Sequence, residues 1–250
     1  MAALIRAIKY VLARLTGIVV MAIMRLRYRI TLGGLTADMP RRGVLILANH
    51  PAEIDPVIIS GALYRRMRPR AVVLESFITP VSWYFLYVSR ALPIPDLEQE
   101  RSREAVQRVR ACIENVVSAL QHGENVLIYP SGRLYRSGLE KIGGASGVAM
   151  VLKRAPDVPV MLVTIRGMWG SCFSCASGAK PDLAAALLTG MQALVRNFIF
   201  FCPRRDVSIT CAMAPDDFPR NADKLTLNRW LEDWFNREGE EPLTVVPCTR

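Results

Sequence analysis

Residues 44–56 read VLILANHPAEIDP, an apolar run that passes directly into polar residues and then into a helix start. The apolar residues 44–48 predict a short buried strand. Asp55 and Pro56 predict the start of a helix, with the Asp55 carboxylate at the N-cap position and proline at the first helical position. His50 and Asp55 therefore flank a connection between a strand and a helix, at the sheet edge where α/β proteins tend to bind ligands.

Apolar runs and periodic segments alternate along the rest of the chain. Further strands are predicted at residues 71–74, 126–129 and 158–165, and helices at residues 98–122 and 145–154. A last helix is predicted from one apolar face, whose side chains we expect to pack in the core: Leu227, Trp230, Leu231 and Trp234. The alternation predicts an α/β fold with a mixed, largely parallel central sheet flanked by helices.

The N-terminal part of the chain contains the apolar run LTGIVVMAIM at residues 15–24, between Arg14 and Arg25. As a helix this run is about 15 Å long, too short to cross a hydrocarbon core of about 30 Å. No small-residue cleavage site separates it from Arg25, Arg27 and Arg29, which argues against a secretory signal peptide. The helix lies either in the membrane interface or against the folded domain, and we expect the interface. We predict a membrane-associated helical segment at residues 1–32 and one domain at residues 33–250.

The chain is strongly basic, and its length and apolar content are sufficient for a buried core. It has 250 residues, 51% of them hydrophobic, and a formal net charge of +10; arginine accounts for 27 of the 32 basic residues. The guanidinium group favours phosphate, so nucleic acid, anionic lipid and an acidic carrier protein are all candidate partners. The aromatic clusters at residues 83–85 and 230–235 lie in apolar stretches instead of being interleaved with basic residues, which argues against nucleic acid.

The six cysteines lack the spacing of a disulfide framework or a zinc site. Cys172 and Cys175 form a single CxxC, which we interpret as ordinary small buried residues. We therefore predict no metal site and a reducing environment.

The strand-to-helix connection carries residues suited to general base catalysis. An unperturbed histidine has a pKa of about 6.5, and a carboxylate bonded to its other ring nitrogen fixes the tautomer and stabilises the imidazolium. The segment NHPAEIDP, which contains His50 and Asp55, resembles the NHxxxxD block of the glycerolipid acyltransferase superfamily, which includes lysophosphatidate acyltransferases. IYPSGRLYRSG at residues 128–138 is similar to that family's FPEGTR element, and DVPVMLVTIRG at residues 157–167 to its VPV strand.

The resemblance, which runs from about residue 43 to residue 170, implies an O-acyltransferase domain. Its donor would be acyl-CoA or acyl carrier protein, and its acceptor the hydroxyl of a lysophospholipid or acylglycerol phosphate. It implies His50 as general base and Asp55 as its partner, with no cofactor and no metal ion. Backbone amides near the helix start would receive the oxyanion.

Four further residues in the matching blocks are implied to bind substrate: Asn49, Ser131, Gly132 and Arg133. Gly132 would let the backbone approach the acceptor, and Arg133 would bind its phosphate. The chain departs from the family pattern at Ser131, where the family has Glu, and at Asp96 in ALPIPDLE, near the place of a family Arg. Both departures leave the acceptor undetermined.

A narrower resemblance rests on SGLEKIGGASGVAM, IRGMWGSCFS and LNRWLEDWFN. It is to the acyltransferase part of bacterial 2-acylglycerophosphoethanolamine acyltransferase/acyl-carrier-protein synthetase proteins. It implies a protein on the cytoplasmic face of the inner membrane, bound to an anionic membrane surface. The alternative function is a non-catalytic basic protein that binds lipid or nucleic acid.

Overall fold

A computed structural model describes residues 2–78, 82–96, 100 and 102–247, and these residues form an α/β fold around one sheet. The described strands are β1 Tyr28–Gly33, β2 Leu45–Ala48, β3 Arg70–Leu74, β4 Leu92–Ile94, β5 Val126–Ile128, β6 Val160–Arg166 and β7 Arg205–Met213. The described helices are α1 Ala2–Arg27, α2 Asp55–Leu63, α3 Trp83–Ser89, α4 Arg103–Gln121, α5 Gly147–Arg154, α6 Leu183–Arg196 and α7 Lys224–Asn236.

The sheet is mixed and largely parallel, as the sequence predicts. Its strand order is β1-β7-β6-β2-β5-β3-β4, and β6 pairs antiparallel with β7 while the other described pairs are parallel. The central position of β2 follows from its composition, because a strand covered on both faces is apolar throughout. β2 consequently delivers the residue that follows it, Asn49, to the middle of the carboxyl edge.

Helices cover both faces of the sheet. Ile46 and Ala48 of β2 point into a cluster that contains buried side chains of α1, α2 and α6. Leu45 and Leu47 point the opposite way, into a cluster with α4, α5 and α7. The alternation follows from the two-residue period of a strand, so β2 contributes to both clusters.

The sequence predicts four of the seven described strands and does not predict β1, β4 or β7. All of β1 except Gly33 lies in the part of the chain that the division at residue 33 assigns to the N-terminal segment. It pairs in parallel with β7 at one edge of the sheet, from Tyr28 opposite Arg205 to Gly33 opposite Thr210. The division of the chain at residue 33 stays a prediction of domain organisation, but the sheet itself begins at Tyr28.

Two helix starts differ from their predicted positions. Residue 98, where the fourth helix was predicted to start, lies outside the described residues, and α4 begins at Arg103 behind the N-cap Ser102. The prediction that Asp55 caps α2 is wrong. Ile54 occupies the N-cap position without a side-chain cap, and Asp55 is the first helical residue. Its carboxylate turns back towards His50 instead.

The N-terminal helix α1 is 26 residues long, well beyond the apolar run that predicts it. Its C-terminal half packs on the domain through Val20 and Met24, and Thr16 hydrogen-bonds Tyr84 of α3 over 2.9 Å. The remainder of its apolar surface is exposed, in a stripe of Val11, Leu12, Leu15, Ile18, Val19 and Ile23. Among the described residues, none of the helices combines the length and apolarity needed to cross a membrane.

Candidate active site

The connection from β2 to α2 brings the predicted pair together. His50 is the second residue after β2, and Asp55 opens α2. The turn between them is closed by the Asp55 amide, which donates to the Ala52 carbonyl over 3.1 Å, and by the Ala52 amide, which donates to Asp55 Oδ2 over 2.8 Å. The same oxygen lies 3.2 Å from His50 Nδ1. The backbone of the turn therefore aims the carboxylate at the imidazole.

Burial sets the charge state of the pair. Asp55 is fully buried, whereas 14% of the His50 side chain is exposed. Burial lowers the pKa of His50 to about 4, an effect that the nearby Glu140 carboxylate opposes. Burial raises the pKa of Asp55, and the Ala52 amide opposes that shift. The imidazole is consequently neutral at neutral pH. With Nδ1 directed to Asp55, Nε2 is the nitrogen available to accept a proton.

Two residues that the sequence does not predict as site residues hold the imidazole in place. The His50 ring stacks on Tyr129, with centroids 3.9 Å apart and an interplanar angle of 19°. Glu140, which is 1% exposed, accepts a hydrogen bond from the His50 amide over 2.8 Å. Tyr129 stands in the aromatic position of IYPSG, so the motif could have indicated it. Glu140 carries no such signal, because it lies in an irregular loop 90 positions from His50.

The loop with Ser131, Gly132 and Arg133 lies beside His50. The Tyr135 amide, just beyond this loop, donates to the His50 carbonyl over 3.0 Å. Gly132 has a φ of +63°, a conformation that favours glycine, and no atom lies within 4 Å of the place a Cβ would occupy. Arg133 is exposed, and its carbonyl accepts from the Ser131 hydroxyl over 2.8 Å. The predicted loop residues thus present open backbone at Gly132 and an exposed arginine, in a loop that lies beside His50.

Asn49 is placed differently from these loop residues. Its side chain is completely buried and bridges to β6, accepting from the Ile165 amide over 2.7 Å and donating to the Ile165 carbonyl over 2.8 Å. It also donates to the Tyr135 hydroxyl. Asn49 therefore joins the end of β2 to β6, next to His50 in the chain. A direct contact between the Asn49 side chain and a substrate stays a prediction.

Four amides at the start of α2 already have protein acceptors. The Glu53 amide donates to the Phe173 carbonyl over 2.9 Å, and the Val57 amide to the Ile54 carbonyl over 3.0 Å. The Ala52 and Asp55 amides are used in the turn described above. These four donors are not available to an oxyanion in this conformation, and the role of the helix start as an oxyanion site stays a prediction.

The two CxxC cysteines lie in different environments. Cys175 is buried against Tyr135 and Trp169, as an ordinary packing residue would be, whereas Cys172 is exposed and its prediction as a buried residue is wrong. Within the part of the chain that the structure describes, no cluster of three or more His, Cys, Asp or Glu side chains is arranged to bind a metal ion.

An imidazole and a buried carboxylate at the carboxyl edge of an α/β sheet define a site for general base chemistry. The family model described as Acyltransferase matches residues 29–166, more than half of the chain, and the chain belongs to this family. The protein is therefore an acyltransferase.

Among solved structures, the chain is similar to the 1-acyl-sn-glycerophosphate (LPA) acyltransferase PlsC from Thermotoga maritima. The TM-score is 0.54 and the sequence identity 15%, over 88% of this chain and 78% of that one. This likeness shows a shared fold.

Proposed function

We propose that the protein transfers a fatty acyl group from an acyl thioester to the free hydroxyl of a lysophospholipid or an acylglycerol phosphate. The observation that carries the proposal is the contact of 3.2 Å between His50 Nδ1 and a buried Asp55 carboxylate, beside an exposed loop with a guanidinium, in a chain of the Acyltransferase family. The pair supplies a base for an alcohol, and Arg133 supplies a group that recognises phosphate.

In the proposed mechanism His50 Nε2 removes the proton of the acceptor hydroxyl as its oxygen attacks the thioester carbonyl. Asp55 keeps the proton of Nδ1 in place and stabilises the imidazolium. When the tetrahedral intermediate collapses, the C–S bond breaks and the leaving thiolate takes the proton back from His50. The ring ends neutral, as it began, and the acyl group has moved from sulfur to oxygen.

We assign the oxyanion to the turn around Gly132 and Arg133. The amides of Ala52, Glu53, Asp55 and Val57 at the start of α2 already have acceptors. The Arg133 amide is 3.5 Å from the Ser131 hydroxyl, a long and weak contact that a negatively charged oxygen would replace. The exposed backbone at Gly132 allows the reacting carbonyl to approach.

We propose an acceptor of the 2-acylglycerophosphoethanolamine type, with acyl carrier protein or coenzyme A as the thiol carrier of the donor. Ser131 in place of the family's Glu, and Asp96 near the place of a family Arg, alter the charges expected around a bare phosphate monoester. An amine-bearing headgroup tolerates these changes better than a bare phosphate monoester, because its ammonium offsets part of the negative charge of the phosphate. The narrower resemblance in the sequence supports the same acceptor.

We propose that the protein acts on the cytoplasmic face of the inner membrane as a peripheral or monotopic protein. The exposed apolar stripe of α1 supports this, and so do Arg14 and Arg25, which flank the apolar run and are exposed. Side chains of this kind place an interfacial helix at the level of the lipid headgroups.

The mechanism is tested by comparing His50→Ala with His122→Ala. His122 is exposed at the end of α4, where its Nδ1 lies 2.7 Å from the Ser118 carbonyl, so it serves as a matched control. Purified variants are incubated with labelled acyl-CoA or acyl carrier protein and a panel of lysolipids. We expect wild-type transfer with His122→Ala and a loss of about a thousandfold with His50→Ala.

Near-normal transfer by a folded His50→Ala variant would refute the mechanism. If the wild-type protein bound lysolipids but transferred no acyl group in any combination, a non-catalytic lipid-binding function would replace the proposal.

A further inference from the structure

Helix α6 is apolar on the side that faces away from the sheet. Ala186 and Ala193 are buried on its inner side. The outer side carries a stripe of exposed residues at helical spacing: Leu187, Leu188, Met191 and Val195. Exposed apolar stripes of this length are unusual on a soluble surface and mark sites that contact a partner or a membrane.

The stripe continues into a cluster of exposed apolar side chains at residues 198–201. Phe198 is 80% exposed and Phe200 75%, and Ile199 and Phe201 are exposed beside them. Phe198 has a φ of +49° and Ile199 a φ of +67°, which disfavour bulky and β-branched residues. The turn is nevertheless closed by the Ile199 amide, which donates to the Leu194 carbonyl over 2.7 Å. The backbone thus holds large apolar side chains in solvent at a conformational cost.

The charged residues within this surface are basic, and the acidic residues Asp182 and Asp206 lie just beyond its two ends. Residues 183–205 contain no Asp or Glu. Arg196 and Arg204, both exposed, stand at the two ends of the Phe198–Phe201 segment. Apolar side chains flanked by arginine match the boundary of an anionic bilayer, where acyl chains lie beneath phosphates.

This surface adjoins α1. Leu183 and Ala186 of α6 pack against the same apolar cluster as Val20 and Met24 of α1, so both helices lie on one face of the sheet. At the end of α1, Arg27 donates to the Pro203 carbonyl and contacts Cys202 Sγ, immediately after the Phe198–Phe201 segment. The exposed apolar stripe of α1 and the exposed apolar surface of α6 and residues 198–201 are therefore connected through Arg27.

We infer that α6 and residues 198–201 form a second bilayer-contacting element, which inserts Phe198 and Phe200 among the acyl chains of an anionic membrane and places Arg196 and Arg204 at its phosphates. The inference rests on the proposed function only because a lysophospholipid acceptor resides in a membrane. A second copy of the chain fits less well. A symmetric dimer would place this basic surface against itself, without acidic partners.

The test uses the full-length protein and vesicles of phosphatidylcholine with about 30% phosphatidylglycerol. The variant Phe198→Ser/Phe200→Ser is compared with Val106→Ser/Leu225→Ser, which removes two exposed apolar side chains from α4 and α7 on the opposite face. We expect the first variant to lower vesicle partitioning at least about tenfold, and the control to leave it unchanged. Arg196→Gln/Arg204→Gln should weaken the dependence on phosphatidylglycerol and on salt.

Equal partitioning of the wild type and the Phe198→Ser/Phe200→Ser variant would overturn the inference. A wild-type dimer in solution that this variant converts to a monomer, with unchanged vesicle binding, would assign the surface to a second copy instead. Failure of the membrane inference is distinguished from failure of the proposed function by measuring acyl transfer to a monomeric short-chain lysolipid. That reaction does not require the bilayer, so it should proceed even if the inference is wrong.

A different observation concerns Glu140, a buried carboxylate with no side-chain cation as partner in the contacts described. Its Oε2 accepts from the His50 amide over 2.8 Å, and the Ser131 side chain lies close enough to interact with the carboxylate. Its backbone is fixed by Asn236 at the end of α7, through two hydrogen bonds of 2.9 Å. The carboxylate is thus held beside both the proposed base and the residue that replaces the family's Glu.

We infer that Glu140 is a positioning residue that supplies a second carboxylate to the His50 site, in place of the one missing at Ser131. It fixes the main chain of His50, and its negative charge favours the imidazolium that forms during transfer. Burial raises the pKa of Glu140 to about 7, while the Ser131 hydroxyl and the His50 amide oppose that shift. The other titratable groups that interact with it are Asp55, Tyr129 and Tyr135.

The charge of Glu140 is tested by the dependence of kcat/KM on pH. Glu140→Gln keeps an acceptor for the His50 amide and removes the charge. We expect a rate about tenfold lower, and loss of the rise in activity that the wild type shows as Glu140 ionises near pH 7. Ser131→Ala removes an interaction that favours the charged form, so it should move that rise to higher pH.

Profiles of both variants that superimpose on the wild type would overturn the role of Glu140. Ser131→Ala keeps the test valid if Glu140→Gln fails to fold. Because the readout is the shape of the profile, a purely structural contribution of Glu140 would leave it unmoved.

Discussion

Replacing Asp55 by Asn tests the charge of the pair with little change in shape. Asp55 Oδ2 accepts from the Ala52 amide and lies 3.2 Å from His50 Nδ1, whereas Oδ1 has no hydrogen-bond partner among the described residues. The Asn oxygen can therefore take the place of Oδ2 and keep both contacts. Its amide group then occupies the place of Oδ1. What the substitution removes is the negative charge.

The expected effect follows from the distance between the two groups. Two unit charges 3.2 Å apart interact by about 5 kcal/mol at an effective dielectric constant of about 20. If about half of the imidazolium charge has formed in the transition state, the loss is about 2.5 kcal/mol, or roughly a hundredfold in kcat. KM for the acceptor should change little, because Asp55 is fully buried.

The assay is the formation of labelled diacyl phospholipid by purified protein under saturating donor and acceptor. Asp223→Asn is the matched control, because Asp223 caps α7 at an exposed position and Asn caps a helix equally well. The melting temperature of Asp55→Asn should change little: burial raises the pKa of Asp55, so the neutral amide avoids a penalty, but its N–H groups have no acceptor at the place of Oδ1. A well-folded Asp55→Asn protein with wild-type kcat would refute the reasoning.

Three further predictions concern the surroundings of the pair. Asn49→Ala leaves the buried amide and carbonyl of Ile165 without partners, so the free energy of unfolding in urea should fall by about 3 kcal/mol; a loss below about 0.5 kcal/mol would contradict the bridging role. Arg133→Ala should raise KM for a phosphate-bearing acceptor about tenfold or more, with partial recovery in Arg133→Lys and no effect for an acceptor without phosphate. Because the pKa of Glu140 is raised from 4.5 to about 7, the folded state holds its proton more tightly, and the stability this contributes is lost as pH rises through about 7. Between pH 4.5 and about 7 the free energy of unfolding of the wild type should therefore fall by about 3 kcal/mol more than that of Glu140→Gln, measured by denaturant titration. An equal dependence of the two unfolding free energies on pH would contradict the assignment.

The parts of the fold that the sequence predicts are those with strong local patterns. β2, β3, β5 and β6 coincide with apolar runs, and α4 with a helical apolar period. Where a pattern is weak, the prediction fails. β1 is mostly exposed at a sheet edge and directly follows a long helix, so nothing local separates it from that helix. Val106 fits the apolar period of α4 but is 42% exposed, so the period alone does not predict burial.

In the candidate site, too, the sequence predicts the contacts between residues close in the chain and misses those between distant residues. His50 and Asp55 are five positions apart, and one tight turn brings them into contact, so their spacing predicts the pair. Asp55 still has a different role from the predicted cap, because the turn rotates its carboxylate towards the imidazole instead of the helix amides. Tyr129 reaches the ring only because β5 lies next to β2 in the sheet.

The sequence by itself determined the α/β class, the contact between His50 and Asp55, and the loop around Arg133, because each depends on residues close together in the chain. Only the tertiary structure decided that Glu140 supports His50, that Asn49 joins β2 to β6, and that α6 and α1 expose apolar surfaces on one face of the sheet. These relations join segments far apart in sequence, and their distances follow from strand order and packing, which no local pattern encodes.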